Sequence, residues 1–225
     1  FDPKRLSSPA QFPVLKFGSW VGGDRDGHPL VTGLVTKSTL LIHRKAAISI
    51  LKDALVNLAA RTSFSDSQHV VPEILSNALQ RNITIMDKAA AKALKRNPGE
   101  PWRQFINLVV AKLDNTLEGN FEKLLPETWY ATPDDLQKDL DIIKESMLEA
   151  GMVRTVEALL FPIERKLQCF GFHLAAIDIR QNSVFHEKAL EQLIKAASFE
   201  DWEYSKWNEK KRLEFLNHEL QSNRP

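Results

Sequence analysis

Residues Gly171-Phe172-His173-Leu174-Ala175-Ala176-Ile177-Asp178-Ile179-Arg180 decide how the chain is to be read. Before them, apolar residues return every three or four positions. Here that spacing stops, β-branched residues appear, and the run ends on an arginine. The stretch reads as a buried strand with Arg180 and Gln181 at its carboxyl end. Ser183 is placed to cap a helix that runs to about Ala197. A second short strand is expected far upstream, over Phe17–Gly23, entering a tight turn. Two strands so distant cannot form a hairpin, and two alone make a weak sheet. They fit parallel members of an α/β barrel whose other strands lie outside this chain.

Between the two strands the pattern is helical. Thr32 can cap a helix reaching about Arg61, with Leu34, Leu41, Ala47 or Ile48, Leu51, Leu55 and Leu58 on one apolar face. At 1.5 Å per residue it would be roughly 40 Å long. Shorter helices are expected near Pro72–Leu79 and Asp87–Arg96, before Asn97-Pro98-Gly99 breaks the pattern. Pro101 suits a first helical position, and Trp102, Phe105, Val109 and Leu113 share a face up to Gly119. Thr132-Pro133-Asp134-Asp135 combines a cap, an N1 proline and two carboxylates at the positive end of the dipole, and Gly151 closes that helix. Val153–Phe170 follows with a kink expected at Pro162, and a last helix spans about Ser205 to Gln221. The expected fold class is mainly α: long helices plus one or two short strands of an incomplete, TIM-like α/β barrel.

Composition narrows the functional classes. The chain has 225 residues, 43% hydrophobic and 26% charged, with 30 Lys and Arg against 29 Asp and Glu. A net charge of +1 gives no electrostatic reason to expect nucleic acid or an anionic membrane as partner. No apolar run approaches the roughly 18 residues of a membrane span. The one cysteine, Cys169, has only His173 nearby as a second soft ligand, too few for a zinc site. A cytoplasmic protein is the resulting expectation. Phe1 at the start and Asn223-Arg224-Pro225 at the end look cut from something longer, so residues 1–225 are expected to be one segment of a larger domain.

Two segments carry candidate chemistry. Gly22-Gly23-Asp24-Arg25-Asp26-Gly27 holds three glycines, which permit positive φ and close approach of backbone to a ligand. Asp24 and Asp26 flank Arg25 and could hold its guanidinium fork in one direction. A calcium loop is excluded: counted from Asp24, the sixth position is Pro29 and the twelfth Val35, where glycine and glutamate are required. A solvent-facing turn with its own ion pairs is the competing reading. At the other segment, Arg180 closes an apolar strand where α/β barrels gather substrate groups, and its fork suits a phosphate or carboxylate. Its competing reading is a structural pair with Asp178 or Glu187. His28 could reach a ligand from the glycine loop. Trp20, just ahead of that loop, is a candidate apolar wall, whereas Trp102, Trp129, Trp202 and Trp207 are read as packing residues.

Phe17-Gly-Ser-Trp-Val-Gly-Gly-Asp-Arg-Asp-Gly-His-Pro29 resembles the pattern F-x-S-W-x-G-G-D-R-D-G-N-P of the phosphoenolpyruvate carboxylase family. Phe170-Gly-Phe-His-Leu-Ala-Ala-Ile-Asp-Ile-Arg-Gln181, with Ser183 and His186, is similar to that family's F-G-x-x-L-x-x-x-D-I-R-Q-E-S-x-x-H. A weaker match to E-L-x-S-x-R-P closes Arg212–Pro225. His28 stands in place of the usual asparagine, and Asn182 in place of the usual glutamate.

The resemblance implies that phosphoenolpyruvate and bicarbonate react to oxaloacetate and phosphate, with Mg2+ or Mn2+ assisting. It also implies a homotetramer. By the same resemblance Arg180 clamps the substrate phosphate, with Gln181 beside it. Trp20 walls the methylene carbon, and Arg25, braced by Asp24 and Asp26, lines the same cavity. The family's T-A-H-P-T-E and F-H-G-R-G-G segments and its carboxylate metal ligands have no match here, so the chain by itself is expected to be inactive. The competing class is a helical interaction domain whose glycine loop is a mere connector. A different phosphate-binding enzyme is disfavoured, since Gly18, Gly22 and Gly23 fit neither a P-loop nor a dinucleotide fingerprint.

Overall fold

Pro101 at N1, an apolar residue every third or fourth position and Gly119 beyond the end produce α4, Pro101–Glu118, the centre of the helical core. The computed structural model describes residues 12–26, 28–119 and 121–222. Packed on α4 are α2 (Glu73–Met86), α3 (Lys88–Arg96) and α5 (Pro133–Glu149); α1 (Gly33–Arg61) adds residues to the same core, and the run α6 (Val153–Thr155) to α7 (Phe161–Phe170) packs on α5. β1 (Gly18–Ser19) precedes them, β2 (Ala176–Ile177) follows, and α8 (Ser183–Ala196) and α9 (Glu209–Glu219) end the described chain. The chain divides into two compact units. One contains Lys37–Ala176 and the segment ending at Ser19; the other contains Trp20–Thr36 and everything from Ile177 onward.

In the first unit the helical periodicity becomes one continuous core. Leu51 and Leu55 of α1, Trp102, Phe105, Val109 and Leu113 of α4, and Leu136, Leu140 and Ile143 of α5 are fully buried in it. Each such side chain contributes about 1.5–3 kcal/mol relative to exposure. Trp102 is packed as expected, and its indole N–H donates to Ser146 Oγ at 3.1 Å. α5 begins with a capping box between Thr132 and Asp135, with Pro133 in its first turn. Gly119 and Gly151, at φ 71° and 76°, terminate α4 and α5 in the left-handed conformation that glycine adopts without a Cβ penalty. Pro162 has no N–H to donate, and its ring crowds the carbonyl four residues earlier. A π turn over Val156–Leu160 immediately precedes the helix that contains this proline.

Several expectations are corrected. Helix α2 runs on to Met86, past Leu79. Leu34 and Leu41 are 77% and 51% exposed, because the apolar face of α1 enters the core only from Ala47 onward. The stretch Gly171–Arg180 is not one buried strand: Ala176 and Ile177 form a two-residue strand, Arg180 makes an isolated bridge, and Ile179 is 61% exposed. Asn182, not Ser183, caps α8, its side chain accepting from the Val184 N–H at 2.9 Å. A carboxamide is a strong N-cap, so the departure from glutamate at this position serves the helix. α9 starts at Glu209 behind the Asn208 cap, and Tyr204–Lys206 is a separate 3-10 turn.

A buried polar group sits inside the first unit. Lys112 Nζ donates to Asp139 Oδ2 at 2.9 Å, and the Tyr130 hydroxyl donates to the same oxygen at 2.6 Å. Burial, then the charge and hydrogen bond of Asp139, hold the Tyr130 hydroxyl well above the usual tyrosine range. A proton retained in the folded chain but lost from the unfolded one near pH 10 makes stability fall as pH rises past that value. Tyr130→Phe should cost about 1 kcal/mol at neutral pH. It should also lose less stability than the parent between about pH 9 and 11. Urea midpoints measured across that range check this; parallel curves would remove Tyr130 from the alkaline response.

In the second unit α8 and α9 are joined by side chains. Arg212 pairs with Glu187 at 2.8 Å and lies over the Tyr204 ring, 4.8 Å from its centroid. Trp207 packs edge-on against Phe215 at 5.2 Å, in line with its reading as a packing residue. The end of the third motif, Asn223-Arg224-Pro225, lies outside the described residues, as does Gly27. Among the described residues no helix is long and apolar enough to cross a membrane.

Candidate functional site

All the geometry in this subsection belongs to the second unit. The glycine loop begins as a turn in which Gly23 and Asp24 N–H both donate to the Trp20 carbonyl, at 2.9 and 3.0 Å. Gly22 takes φ 77° inside it. The loop then lies against the segment ending in Arg180. Arg180 N–H donates to the Gly23 carbonyl at 3.1 Å, and Arg25 N–H to the Arg180 carbonyl at 2.9 Å, so Asp24 and Arg180 form a parallel bridge. The approach is close enough that a Cβ on Gly23 would lie 2.4 Å from both the Asp178 carbonyl oxygen and Ile177 Cγ2. Gly23 is needed for contact, Gly22 for its backbone angle.

Side chains alternate across such a ladder. Asp24 and Arg180, as bridge partners, emerge on one face. There the Arg180 guanidinium stands 3.7 Å from the Asp24 carboxylate and 5.1 Å from the centre of the Trp20 ring. Arg180 is half-exposed, and 3.7 Å exceeds hydrogen-bond length, so its donors stay open to a ligand. Of the two carboxylates expected as its structural partner, neither Asp178 nor Glu187 pairs with it: Glu187 belongs to Arg212, and Asp24 takes the place. Asp24 also accepts the Asp26 N–H at 3.1 Å, which fixes the turn. The Asp26 side chain is exposed.

Arg25 and Gln181 emerge on the other face and line a cavity of about 630 Å³ with His28, Thr32, Gly33 and Asn182. Arg180, Asp24, Asp26 and Trp20 are not part of that lining. The cavity is flanked by the first residues of α1 and α8, whose dipoles make such a place favourable to an anion. Among the described residues no carboxylate lies within ion-pair distance of Arg25. Its Nη2 donates instead to Thr36 Oγ1 at 3.0 Å, and its buried Nε–H has no acceptor. The expected bracing of Arg25 by Asp24 and Asp26 is therefore replaced by a neutral hydroxyl. Sequence reasoning missed Thr36, and the visible signal was small: it lies one helical turn after the Thr32 cap, on the same side.

Among the described residues no three His, Cys, Asp or Glu side chains gather so as to hold a metal ion. The residues described do not fit a divalent cation.

Comparison with known proteins adds a family. The family model described as phosphoenolpyruvate carboxylase matches residues 4–225. A phosphoenolpyruvate carboxylase of Roseiflexus castenholzii is 33% identical over 221 residues, covering 95% of this chain and 24% of the relative. One of Rhodopseudomonas palustris is 33% identical over 216 residues, 94% of this chain and 22% of its own. One of Aromatoleum aromaticum is 34% identical over 217 residues, 94% and 23%. The chain thus spans about a quarter of the length of the relatives it matches.

Proposed function

The chain belongs to the phosphoenolpyruvate carboxylase family, and on that premise we propose that it contributes the arginine-bearing substrate face of an enzyme that makes oxaloacetate and phosphate from phosphoenolpyruvate and bicarbonate. In that reaction the phosphoryl group passes to bicarbonate, giving carboxyphosphate and the enolate of pyruvate. Carboxyphosphate then releases phosphate and carbon dioxide, and the enolate carbon attacks the carbon dioxide. The protein must hold a phosphate with cations and keep water from the enolate. In the family a Mg2+ or Mn2+ ion would share the phosphate's charge.

One observation carries the proposal: the Arg180 guanidinium, held beside Asp24, lies over the Trp20 indole with its fork donors open. A phosphate taken by that fork brings the adjacent methylene carbon against an apolar ring. On the opposite face of the same ladder, Arg25 adds positive potential from the cavity at the start of α1 and α8, and Gln181 adds a neutral carboxamide donor. Asp24 serves as the brace of Arg180. The parallel pairing of two short, otherwise lone strands supports a place in an α/β barrel completed by strands beyond this chain, with residues 1–225 as one segment of that larger domain. A cytoplasmic homotetramer belongs to the same reading.

Titrating the chain with phosphoenolpyruvate, followed by NMR or calorimetry, tests it. Saturable binding is expected, weakened at least tenfold by Arg180→Lys, because a point charge cannot replace two parallel N–H donors. With Mg2+ and bicarbonate added, no oxaloacetate should form from these residues alone. Equal affinity in the Arg180→Lys chain would remove Arg180 from the site.

A further inference from the structure

The arginine that faces the cavity is held by a residue that neither the sequence motifs nor the family description singles out. We propose that Thr36 is a positioning residue for Arg25, setting the guanidinium toward the cavity without neutralising it. The inference rests on the reading of the two arginine segments as anion-binding, and it adds the device that keeps one of them charged and aimed.

The geometry is that of a relay. Thr36 is only 7% exposed, in the first turns of α1. Its hydroxyl donates to the Gly22 carbonyl at 2.7 Å and accepts from Arg25 Nη2 at 3.0 Å. A second possible acceptor, the Thr32 carbonyl, is farther off at 3.3 Å, so the single hydroxyl hydrogen is best used on Gly22. Gly22, at φ 77°, presents its carbonyl to α1 because of a backbone angle that L side chains rarely adopt. One hydroxyl therefore ties the turn of the glycine loop, the start of α1 and the end of the Arg25 side chain together.

The chemistry of the tie matters as much as its position. A carboxylate in place of Thr36 would cancel the charge of Arg25 and compete with any incoming anion. A hydroxyl takes one of the five guanidinium donors and leaves the formal charge intact. Arg180 has the opposite arrangement, with a carboxylate 3.7 Å away. The two arginines are thus tuned differently, one facing its ligand beside a counter-charge and the other free of one.

The test uses inorganic phosphate as probe and the full chain in four forms: parent, Arg25→Ala, Thr36→Val and Thr36→Ser. Phosphate affinity is read by the shifts of the cavity amides of Gly33 and Asn182. Arg25→Ala should abolish the binding read there. Thr36→Val should weaken it about tenfold, the size of one hydrogen bond to a charged donor. Thr36→Ser, which keeps the hydroxyl, should bind within about twofold of the parent. A parallel readout that a purely structural role would not move is the Arg25 side chain: its Nη resonances should exchange slowly in the parent and the serine variant, and quickly in the valine variant. If Thr36→Val does not fold, fast Nη exchange in the parent would by itself overturn the proposal. Loss of binding in Arg25→Ala with none in a folded Thr36→Val chain sinks the role of Thr36 and spares the anion site. No effect of Arg25→Ala sinks the reading of the site itself.

Discussion

Replacing Gly23 by alanine is expected to detach the glycine loop from the Arg180 segment. The added carbon would sit 2.4 Å from a backbone oxygen, that of Asp178, and equally near a methyl group of Ile177. The methyl can rotate away. The carbonyl cannot move without breaking the alignment that lets Arg180 N–H reach Gly23 and Arg25 N–H reach Arg180. Overpacking of this kind costs about 1–3 kcal/mol, and contact with backbone puts this case at the upper end. Amide hydrogen exchange should report it: the Arg25 and Arg180 amides should lose roughly a hundredfold in protection, while the amides of the α4 core keep theirs. Unchanged protection at those two amides would mean that the loop does not depend on the close approach. The same variant should bind phosphoenolpyruvate poorly, since Arg180 and Trp20 meet only while the ladder holds.

The second large effect is at the buried pair. Asp139→Ala should destabilise the first unit by about 3–5 kcal/mol, because Lys112 would be left charged without its partner. Both side chains are more than nine-tenths buried, and the Tyr130 hydroxyl would lose its acceptor too. For a chain of this size that corresponds to a fall in Tm of about 10 °C. Lys112→Met combined with Asp139→Leu should recover most of the loss, since apolar replacement of both ions removes the desolvation cost along with the attraction. A double variant no better than Asp139→Ala would show that Tyr130 and the surrounding packing, rather than the unpaired ammonium, set the penalty.

How much of this was legible in the sequence differs by element. α4 and α5 were readable because their signals agree: proline at N1, caps, an apolar residue every third or fourth position, and glycine at the exit. The beginning of α1 has the same periodicity in Leu34 and Leu41 yet leaves them exposed, because periodicity names a face without naming what covers it. The stretch ending at Arg180 read as a strand from its β-branched residues, but strand pairing depends on a neighbour, which Ala176, Ile177 and, in an isolated bridge, Arg180 found. At the site, the motifs put Trp20, Arg25 and Arg180 in one cavity, whereas Arg25 opens onto a cavity that Trp20 and Arg180 do not line. The motifs could not reveal that Asp24 pairs with Arg180 rather than Arg25, because that choice is made by the pleat of a ladder between segments far apart in the chain. Thr36 was hidden for the same reason: its partners, Gly22 and Arg25, meet it only through tertiary structure.

The alternation of Arg25 and Arg180 across one ladder makes parity a constraint on this loop. Sliding the pairing by a single residue would turn Arg25 toward the Trp20 face and send its neighbours into the cavity, exchanging the two chemical environments at a stroke. Slippage by two would restore the faces but pull the arginines out of reach of Asp24 and Thr36. Insertions and deletions between Trp20 and Asp26 are therefore filtered by whether they are odd or even, and by very little tolerance even then. A stretch of backbone this short works as a keyed connector, admitting its partner strand in one register alone.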